Sequence, residues 1–406
     1  MRSELESKNE KLISDVARII DDVVSLEELR TMLNSGKKLN IKYGVDCTAP
    51  FLHLGHAVNL WAMRRFQEDG HKVQFLIGNF TSKIGDPTGR SDLRKVLTDE
   101  EIEANAKEFI RQVGKVLITD DDEVFEIYHN ADWFDKMPLS DFIGLCAMVT
   151  HSKMIKRDMF RKRIDDGGDI YMNELLYPVL QGYDSVMLES DLTIVGTDQL
   201  FNEMMGRFYQ EKFGQTKQVV MTTKITKGLW GDDKQSKSIG NYVAITDSSR
   251  DMFGKIMTLS DDRIIDWMDC YTDIEREEMN YFGHGMARGK INPRDAKIRL
   301  AEAVVERYYG KDIAYKEKVD FIATFSDHSF PKDAPIVKLD SNVIDLISLI
   351  EMCNDSMSRS QIRTLIKQGA ITLNGEKKRD HLELIKLLPE NEFKIGKRKF
   401  FKIVVE

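Results

Sequence analysis

The sequence predicts an α/β protein: a parallel sheet interrupted by a helical stretch, continued by helical and smaller C-terminal parts. Three observations predict it. A strand–helix–strand pattern runs from residue 38 to 80. Two further strand-like segments follow at 190–202 and 217–226, and the residues between, from about 98 to 180, carry helical periodicity. Length agrees, since 406 residues exceed one ordinary core and suggest two to four domains.

Each element has its own reason. After a charged, helix-forming N-terminus, "KLNIKYGVDCTA" reads as a strand entering a glycine-containing turn, and "AVNLWAMRRFQEDG" as an amphipathic helix. "HKVQFLIGNF" is a buried strand of apolar and β-branched residues, followed by "TSKIGDPTGRSD", a loop dense in Gly, Pro, Asp and Ser. The stretch 98–180 opens on "LTDEEIEANAKEFIRQVGKVL", where Thr98 and Glu101 fit a capping box, and reads as a helical insertion between two sheet halves. "SDLTIVGTDQLFN" and "KQVVMTTKIT" resume the sheet, completing a first domain over 1–245. Helical periodicity over 246–325 suggests a separate helical domain, the two prolines of "SDHSFPKDAPIVKLD" a linker over 326–340, and 341–406 a last domain.

Composition narrows the class. With 42% hydrophobic and 31% charged residues the chain reads as globular throughout. No apolar run approaches the ~20 residues of a membrane span and the N-terminus lacks a signal peptide's apolar core, so a cytoplasmic protein is expected. Cys47, Cys146, Cys270 and Cys353 lie far apart without metal-ligand spacing, which points to reduced thiols and to neither zinc nor a disulfide framework. The net charge of −8 is uneven: residues 331–406 hold 14 Lys+Arg against 11 Asp+Glu, a mildly basic tail on an acidic body.

Three stretches carry candidate chemistry. In "LHLGHAVNLW", His53 and His56 share one face of a helix's first turn at the end of a parallel strand, where free N–H groups and the helix dipole attract phosphate. Gly55 between them lets a flat ligand approach the backbone. "KQSKSIGN" places Lys234 and Lys237 three apart in a polar loop, suited to neutralising charge on a leaving pyrophosphate. In "YPVLQGYD", Tyr177, Gln181 and Asp184 fall at i, i+4 and i+7 on one helical face, with Pro178 tolerable near a first turn or at a kink. Near the C-terminus, Arg359, Arg363 and Lys367 recur every four residues, and "ITLNGEKKRD" is a strand entering an Asn-Gly turn followed by Lys377, Lys378 and Arg379. Such a surface suits a phosphate backbone.

These motifs together resemble the class I aminoacyl-tRNA synthetases, specifically the bacterial-type tyrosyl family. "HLGH" and "KQSKS" match its HIGH and KMSKS signatures, and "GVDCTAPFLHLGH", "FLIGNFTSKIGDPTGRSD", "YPVLQGYDS", "VGTDQLFN" and "SKSIGNYVAI" extend the match. "SMSRSQIRTLIKQGAITLNGEKKRD" resembles an S4 RNA-binding domain. The resemblance implies a doubly wound, Rossmann-like parallel sheet with a helical insertion, a helical domain and a small α+β S4-like domain. It implies activation of tyrosine with ATP and Mg²⁺, transfer to tRNA(Tyr), and a homodimer.

Carried over by motif, His53, His56 and Thr48 would meet the ATP phosphates, and Lys234 and Lys237 the pyrophosphate. Tyr177 and Gln181, with Asp86, would hold the α-amino group and Asp184 would accept the phenol proton. Gly44, Asp46, Gly196, Asp198 and Gln199 would complete the adenylate site, Asp198 meeting a ribose hydroxyl and Gln199 the substrate's carboxyl region. Arg359, Arg363, Lys367, Lys377, Lys378 and Arg379 would bind tRNA. Cys47, Val195 and Gln235 depart from the family's proline, glycine and methionine, as "MVTHSKMIKRDMF" departs from the usual pocket segment. Two alternatives stand beside this reading: a paralogue passing an activated tyrosine or analogue to a non-tRNA acceptor, and a non-catalytic RNA-binding protein.

Overall fold

In a computed structural model of the chain, the structure describes residues 2–47, 51–84, 97–155, 158–237, 239–326, 330, 334–354, 357–396 and 399–405. Two compact units emerge, Met1–Gly310 and Lys311–Glu406.

The first unit is organised by a six-stranded sheet. Its strands are β1 (Ile20–Val24), β2 (Asn40–Val45), β3 (Lys72–Ile77), β4 (Phe125–His129), β5 (Leu192–Gly196) and β6 (Val219–Thr223). They lie in the order β1-β6-β5-β2-β3-β4. Strands β2 to β6 run parallel, and β1 pairs antiparallel with β6 at one edge. The central strands are apolar because helices cover both faces of a parallel sheet. Ile41, Val73, Phe75, Leu192, Ile194, Val219 and Val220 are all fully buried.

The two edge strands were not foreseen, β4 least of all, since it lies inside the span read as helical. The reason is physical. "FEIYH" and "IDDVV" have one covered edge and partly exposed faces, so neither carries a continuous apolar run. The other elements described within 98–180 are helices joined by loops, and the capping box of α2 (Asp99–Val113) forms as read: the Thr98 hydroxyl accepts from the Glu101 N–H at 3.2 Å, and the Glu101 carboxylate from the Thr98 N–H at 2.9 Å.

Helix α1 (Leu54–Glu68) links β2 to β3 and buries Ala57, Val58, Leu60, Met63 and Phe66. Helices α3 (Met172–Met187) and α4 (Leu200–Lys212) pack closely: a Cβ on Gly182 would come within 2.8 Å of Tyr209 and 3.0 Å of Met205. Pro178 sits inside α3, beyond its first turn. Since β2 leads outward to β3 and β4 while β5 leads the other way to β6, the order reverses between β2 and β5. Ligands of open parallel sheets bind at that switch point, outside the carboxyl ends of the strands.

The helical stretch read as a separate domain over 246–325 is divided at Gly310. Its helices from Ser249 to Tyr309 belong to the unit that carries the sheet. They are tied there by polar contacts: the Trp61 indole N–H donates to the Tyr308 hydroxyl at 3.1 Å, and Asp273 pairs with Arg65 at 2.8 Å and Arg307 at 2.6 Å.

The second unit begins with helix Lys311–Ser326 and builds a five-stranded sheet in the order β10-β9-β12-β13-β7 beside a short β8–β11 pair. The strands are β7 (Ile336–Leu339), β8 (Val343–Asp345), β9 (Ile371–Leu373), β10 (Glu376–Lys378), β11 (Leu384–Lys386), β12 (Glu390–Ile395) and β13 (Lys399–Val405). Strand β7 falls within the span read as a linker and pairs parallel with β13; only Leu339 of its four residues is buried, which hid it. Leu346, Leu349, Ile362, Ile366, Ile371 and Phe393 form part of one core. The β9–β10 hairpin turns at Asn374 and Gly375, both with positive φ, as the Asn-Gly pair predicts.

Candidate active site

A cleft of about 360 Å³ opens at the switch point. The ends of β2, β3 and β5, the start of α1, α3, α4 and the lysine loop all contribute to its lining. Of the site residues read from the sequence, Gly44, Asp46, His53, Gly55, His56, Tyr177, Gln181, Asp184, Gly196, Asp198, Gln199 and Lys234 line it together. Thr48 and Asp86 lie outside the described residues. Lys237 is exposed, its Nζ 5.1 Å from the centre of the Phe51 ring.

His53 caps the N-terminus of α1, its Nδ1 accepting from the Gly55 N–H at 3.1 Å. The His56 Nδ1 accepts from the His53 N–H at 3.3 Å, and the two rings stack with centres 3.8 Å apart. A ring whose Nδ1 accepts a backbone N–H carries its neutral-state proton on Nε2, so each imidazole keeps an Nε2–H donor. Burial, the neighbouring ring and the Lys234 ammonium depress His53 to about 2, and burial with Lys234 pushes His56 down as well. Both rings are therefore neutral donors near pH 7. Gly55 is needed, because a Cβ there would come within 3.0 Å of the His53 ring.

Beside the histidines, the Lys234 ammonium donates to Asp198 Oδ2 at 3.2 Å. A Cβ on Gly196 would lie 2.7 Å from Asp198 Oδ1, so glycine leaves room for that carboxylate. The loop itself is pinned from below. Asn241, fully buried, accepts from the Ser236 N–H at 2.9 Å and donates to the carbonyls of Trp230, Asp233 and Lys234. Gln235 is buried too: its amide donates to the Tyr271 hydroxyl at 2.8 Å and its carbonyl accepts from the Val243 N–H at 3.3 Å. The departure from methionine thus exchanges an apolar contact for a polar tether to helix α5 (Ile264–Tyr271).

The other two departures also have local explanations. Cys47 donates its N–H to Ser82 Oγ at 3.1 Å, a bond a proline could not make. Its thiol is pushed up to about 12, chiefly by burial. Val195 is a buried strand residue, and the close approach is left to Gly196.

Deeper in the cleft the side chains interlock. Asp184, 4% exposed, accepts from the Trp133 indole at 3.0 Å and from the Asn130 amide at 3.5 Å. Burial raises its carboxyl to about 7, opposed by Lys42 and by the Trp133 and Asn130 hydrogen bonds. The Tyr177 hydroxyl donates to Asp46 Oδ2 at 3.0 Å, and Thr81 donates to Asp46 Oδ1 at 2.8 Å. The Gln181 amide donates to Glu203 Oε1 at 2.8 Å, and Asn202 donates to the side-chain carbonyls of Gln181 and Gln199, both at 2.9 Å. Lys42, Glu203, Asn130, Trp133 and Thr81 went unrecognised in the sequence. Trp133 and Asn130 follow the unseen strand β4, and Lys42 lies on a strand covered on both faces, where alternation gives no warning of a buried charge.

In the second unit, Arg359, Arg363 and Lys367 lie exposed on α7 (Arg359–Lys367), which follows α6 (Leu346–Cys353). Arg359 is engaged by Glu351 of α6 at 2.7 and 3.2 Å. Lys377 and Arg379 are exposed, and Lys378 pairs with Glu383 at 2.7 Å.

The family model for class I tRNA synthetases of the W and Y group matches residues 34–326. The chain belongs to that family. This synthetase is 39% identical to the tyrosine–tRNA ligase of Thermotoga maritima, over 97% of each chain. It is 41% identical to that of Methylococcus capsulatus, over 97% of this chain and 98% of the relative. Among solved structures, a C-terminally truncated mitochondrial tyrosyl-tRNA synthetase of Aspergillus nidulans superposes with a TM-score of 0.64 at 21% identity, covering 80% of this chain and 98% of that one. The tyrosyl-tRNA synthetase of Archaeoglobus fulgidus, complexed with L-tyrosine, gives 0.59 at 20% identity, over 76% and 99%. At these identities the superpositions speak for the class I fold.

Proposed function

We propose that this synthetase is a tyrosine–tRNA ligase. The tyrosine carboxylate attacks the α-phosphorus of ATP, the bond to the bridging oxygen breaks and pyrophosphate leaves. The 3′-terminal hydroxyl of tRNA(Tyr) then takes the tyrosyl group from the adenylate and AMP departs. The observation that carries the reading is near-full-length identity of about 40% to chains named tyrosine–tRNA ligase. The chemistry of the cleft supports it: neutral histidine donors at a helix start, a loop lysine beside them, and a buried carboxylate among indole and amide donors.

In this account the protein supplies positions and charge and forms no covalent intermediate with substrate. His53 and His56, with Thr48, donate to the ATP phosphates, and Lys234 and Lys237 stabilise the departing pyrophosphate. Gly44, Gly55, Gly196, Asp198 and Gln199 receive the adenylate. Tyr177 and Gln181, helped by Asp86, hold the α-amino group, Asp46 completes the adenylate site beside them, and Asp184 accepts the phenol proton. ATP enters with Mg²⁺ on its phosphates. The basic face of α7 and the β9–β10 hairpin contacts the tRNA backbone. Two further readings are carried over from the family: a homodimer, and residence in the cytoplasm. Among the described residues no helix is long and apolar enough to cross a membrane.

Amino-acid-dependent ATP–pyrophosphate exchange across the standard amino acids, followed by tRNA charging with the best substrate, tests the reading. Tyrosine should dominate exchange and should be transferred to tRNA. Faster exchange with another amino acid overturns the substrate, and exchange without tRNA charging points to a different acceptor.

A further inference from the structure

One charged cluster in the cleft is left unused by the chemistry above. Lys42 on β2 is 1% exposed, yet it lines the cleft beside Asp184. Its ammonium lies 2.7 Å from Glu203 Oε2 and donates at 2.7 Å to the hydroxyl of Ser185, the residue after Asp184 on α3. Glu203, 2% exposed, accepts from Gln181 at Oε1 and from Gln218 at Oε2, the latter at 3.0 Å. A buried ion pair is a poor source of stability, because desolvating both charges offsets much of their attraction and an apolar pair of equal volume serves as well. Its place in a substrate cleft asks for another reason.

The charges around Asp184 supply one. From β2 it faces the Lys42 ammonium, and from the turn after β2 the Asp46 carboxylate. From the segment after β4 it meets only the neutral donors Asn130 and Trp133. Glu203, on α4, is already engaged by Lys42. Lys42 is thus the one buried lysine among the described cleft residues, paired with the Glu203 carboxylate and bonded to the residue next to Asp184.

We propose that Lys42 is a specificity-determining positioning residue: held by Glu203 and Ser185, its ammonium is the counter-charge that lets Asp184 meet the substrate's phenol as a carboxylate. An ionised Asp184 accepts the phenol O–H. Against phenylalanine it would stay buried and unpaired, at a larger cost than a neutral acid would incur. Lys42 therefore sets the pH range over which the phenol is read. The raised carboxyl of Asp184, opposed by Lys42, agrees with this. Glu203 joins the device to Gln181, so the same pair orients a side chain at the α-amino end.

The proposal rests on tyrosine being the substrate, and its test separates the two. The pH profile of kcat/KM for tyrosine-dependent exchange, and the tyrosine-to-phenylalanine ratio, are measured in the unaltered enzyme, in Lys42→Met, and in Lys42→Met/Glu203→Gln. The double variant removes both charges and guards against a single variant that fails to fold around an unpaired Glu203. In the unaltered enzyme the acid limb should fall as pH drops through about 7. In Lys42→Met it should move up by roughly one pH unit or more, as expected for losing a close opposite charge, and in the double variant it should move the same way by less, because the Glu203 carboxylate is removed as well. The tyrosine-to-phenylalanine ratio at pH 7 should drop about tenfold in Lys42→Met and by less in the double variant, and should recover above pH 9 in both, a recovery that general loosening of the fold would not produce. Superimposable acid limbs, or a ratio lowered equally at all pH values, overturn the role of Lys42 and leave the ligase assignment standing. Absence of tyrosine-dependent exchange in the unaltered enzyme instead removes the assignment itself.

Discussion

On the proposed assignment of residues, the two ends of the cleft solve opposite problems. At the amino-acid end, Lys42, Tyr177, Asp184 and Glu203 are all at most 7% exposed, and each is held by hydrogen bonds or an ion pair before any ligand arrives. At the phosphate end, the side chain of Lys234 is 63% exposed and Lys237 is exposed as well, on a loop whose backbone is fixed by Asn241 and Gln235. A pocket for a rigid aromatic ring gains from preorganisation, because groups already oriented need no reordering on binding. Charge that appears only as pyrophosphate leaves is met better by lysines kept hydrated until then, since burying them in the free enzyme would be costly. On the proposed assignment the site fixes what would read the substrate and leaves exposed what would stabilise the leaving group.

The largest expected effect is at the exposed end. Lys237→Ala should slow adenylate formation by about 10² or more, the loss typical of one transition-state charge stabiliser, with little change in ATP affinity. Pre-steady-state rates against ATP concentration would decide. A rise confined to the Michaelis constant would make Lys237 a ground-state binder and dissolve the contrast.

A second set of exposed cations lies on α7, and these should behave like the loop lysines toward a polyanion. Arg363→Ala and Lys367→Ala should each flatten the dependence of log K for tRNA on log salt, by roughly 0.7 to 0.9 for every phosphate no longer neutralised. Arg359→Ala should do less, since Glu351 already engages that guanidinium. Tyrosine-dependent exchange should be unchanged in all three, and salt slopes no flatter than that of the unaltered protein would reduce this face to solvated surface.

The smallest effect belongs to the fixed end. Burial holds the Asp184 carboxyl at about 7 in the fold against an ordinary 3.8, so between these values the folded state keeps a proton that the unfolded chain releases. The stability carried by the protonated carboxyl is full below about pH 4 and is lost as pH rises through about 7. Asp184→Asn, neutral throughout, should therefore gain in denaturation midpoint relative to the unaltered protein by a few degrees between pH 5 and pH 8. A difference that stays constant with pH would mean Asp184 does not titrate in that window.

How much of this could be read from the sequence follows the same division between covered and uncovered chain. Strands β2, β3, β5 and β6 announce themselves because both faces are covered and the residues are apolar; edge strands β1 and β4 do not. The signature histidines and the Tyr177, Gln181 and Asp184 face were legible as motifs. Their partners were not, because Lys42, Glu203 and Trp133 come from elements distant in sequence, and a buried charge looks like a solvated one until its partner is located. Glu351 hid the engagement of Arg359 for the same reason.

On this assignment the tyrosine end is formed before ATP arrives and without the lysine loop. Equilibrium binding of tyrosine and phenylalanine to the free enzyme, without ATP or Mg²⁺, tests it most directly, in the unaltered protein and in Lys234→Ala/Lys237→Ala. Tyrosine binding should be saturable, preferred over phenylalanine, and of the same affinity in both proteins. Tyrosine binding that needs ATP, or that disappears with the two lysines, would contradict it.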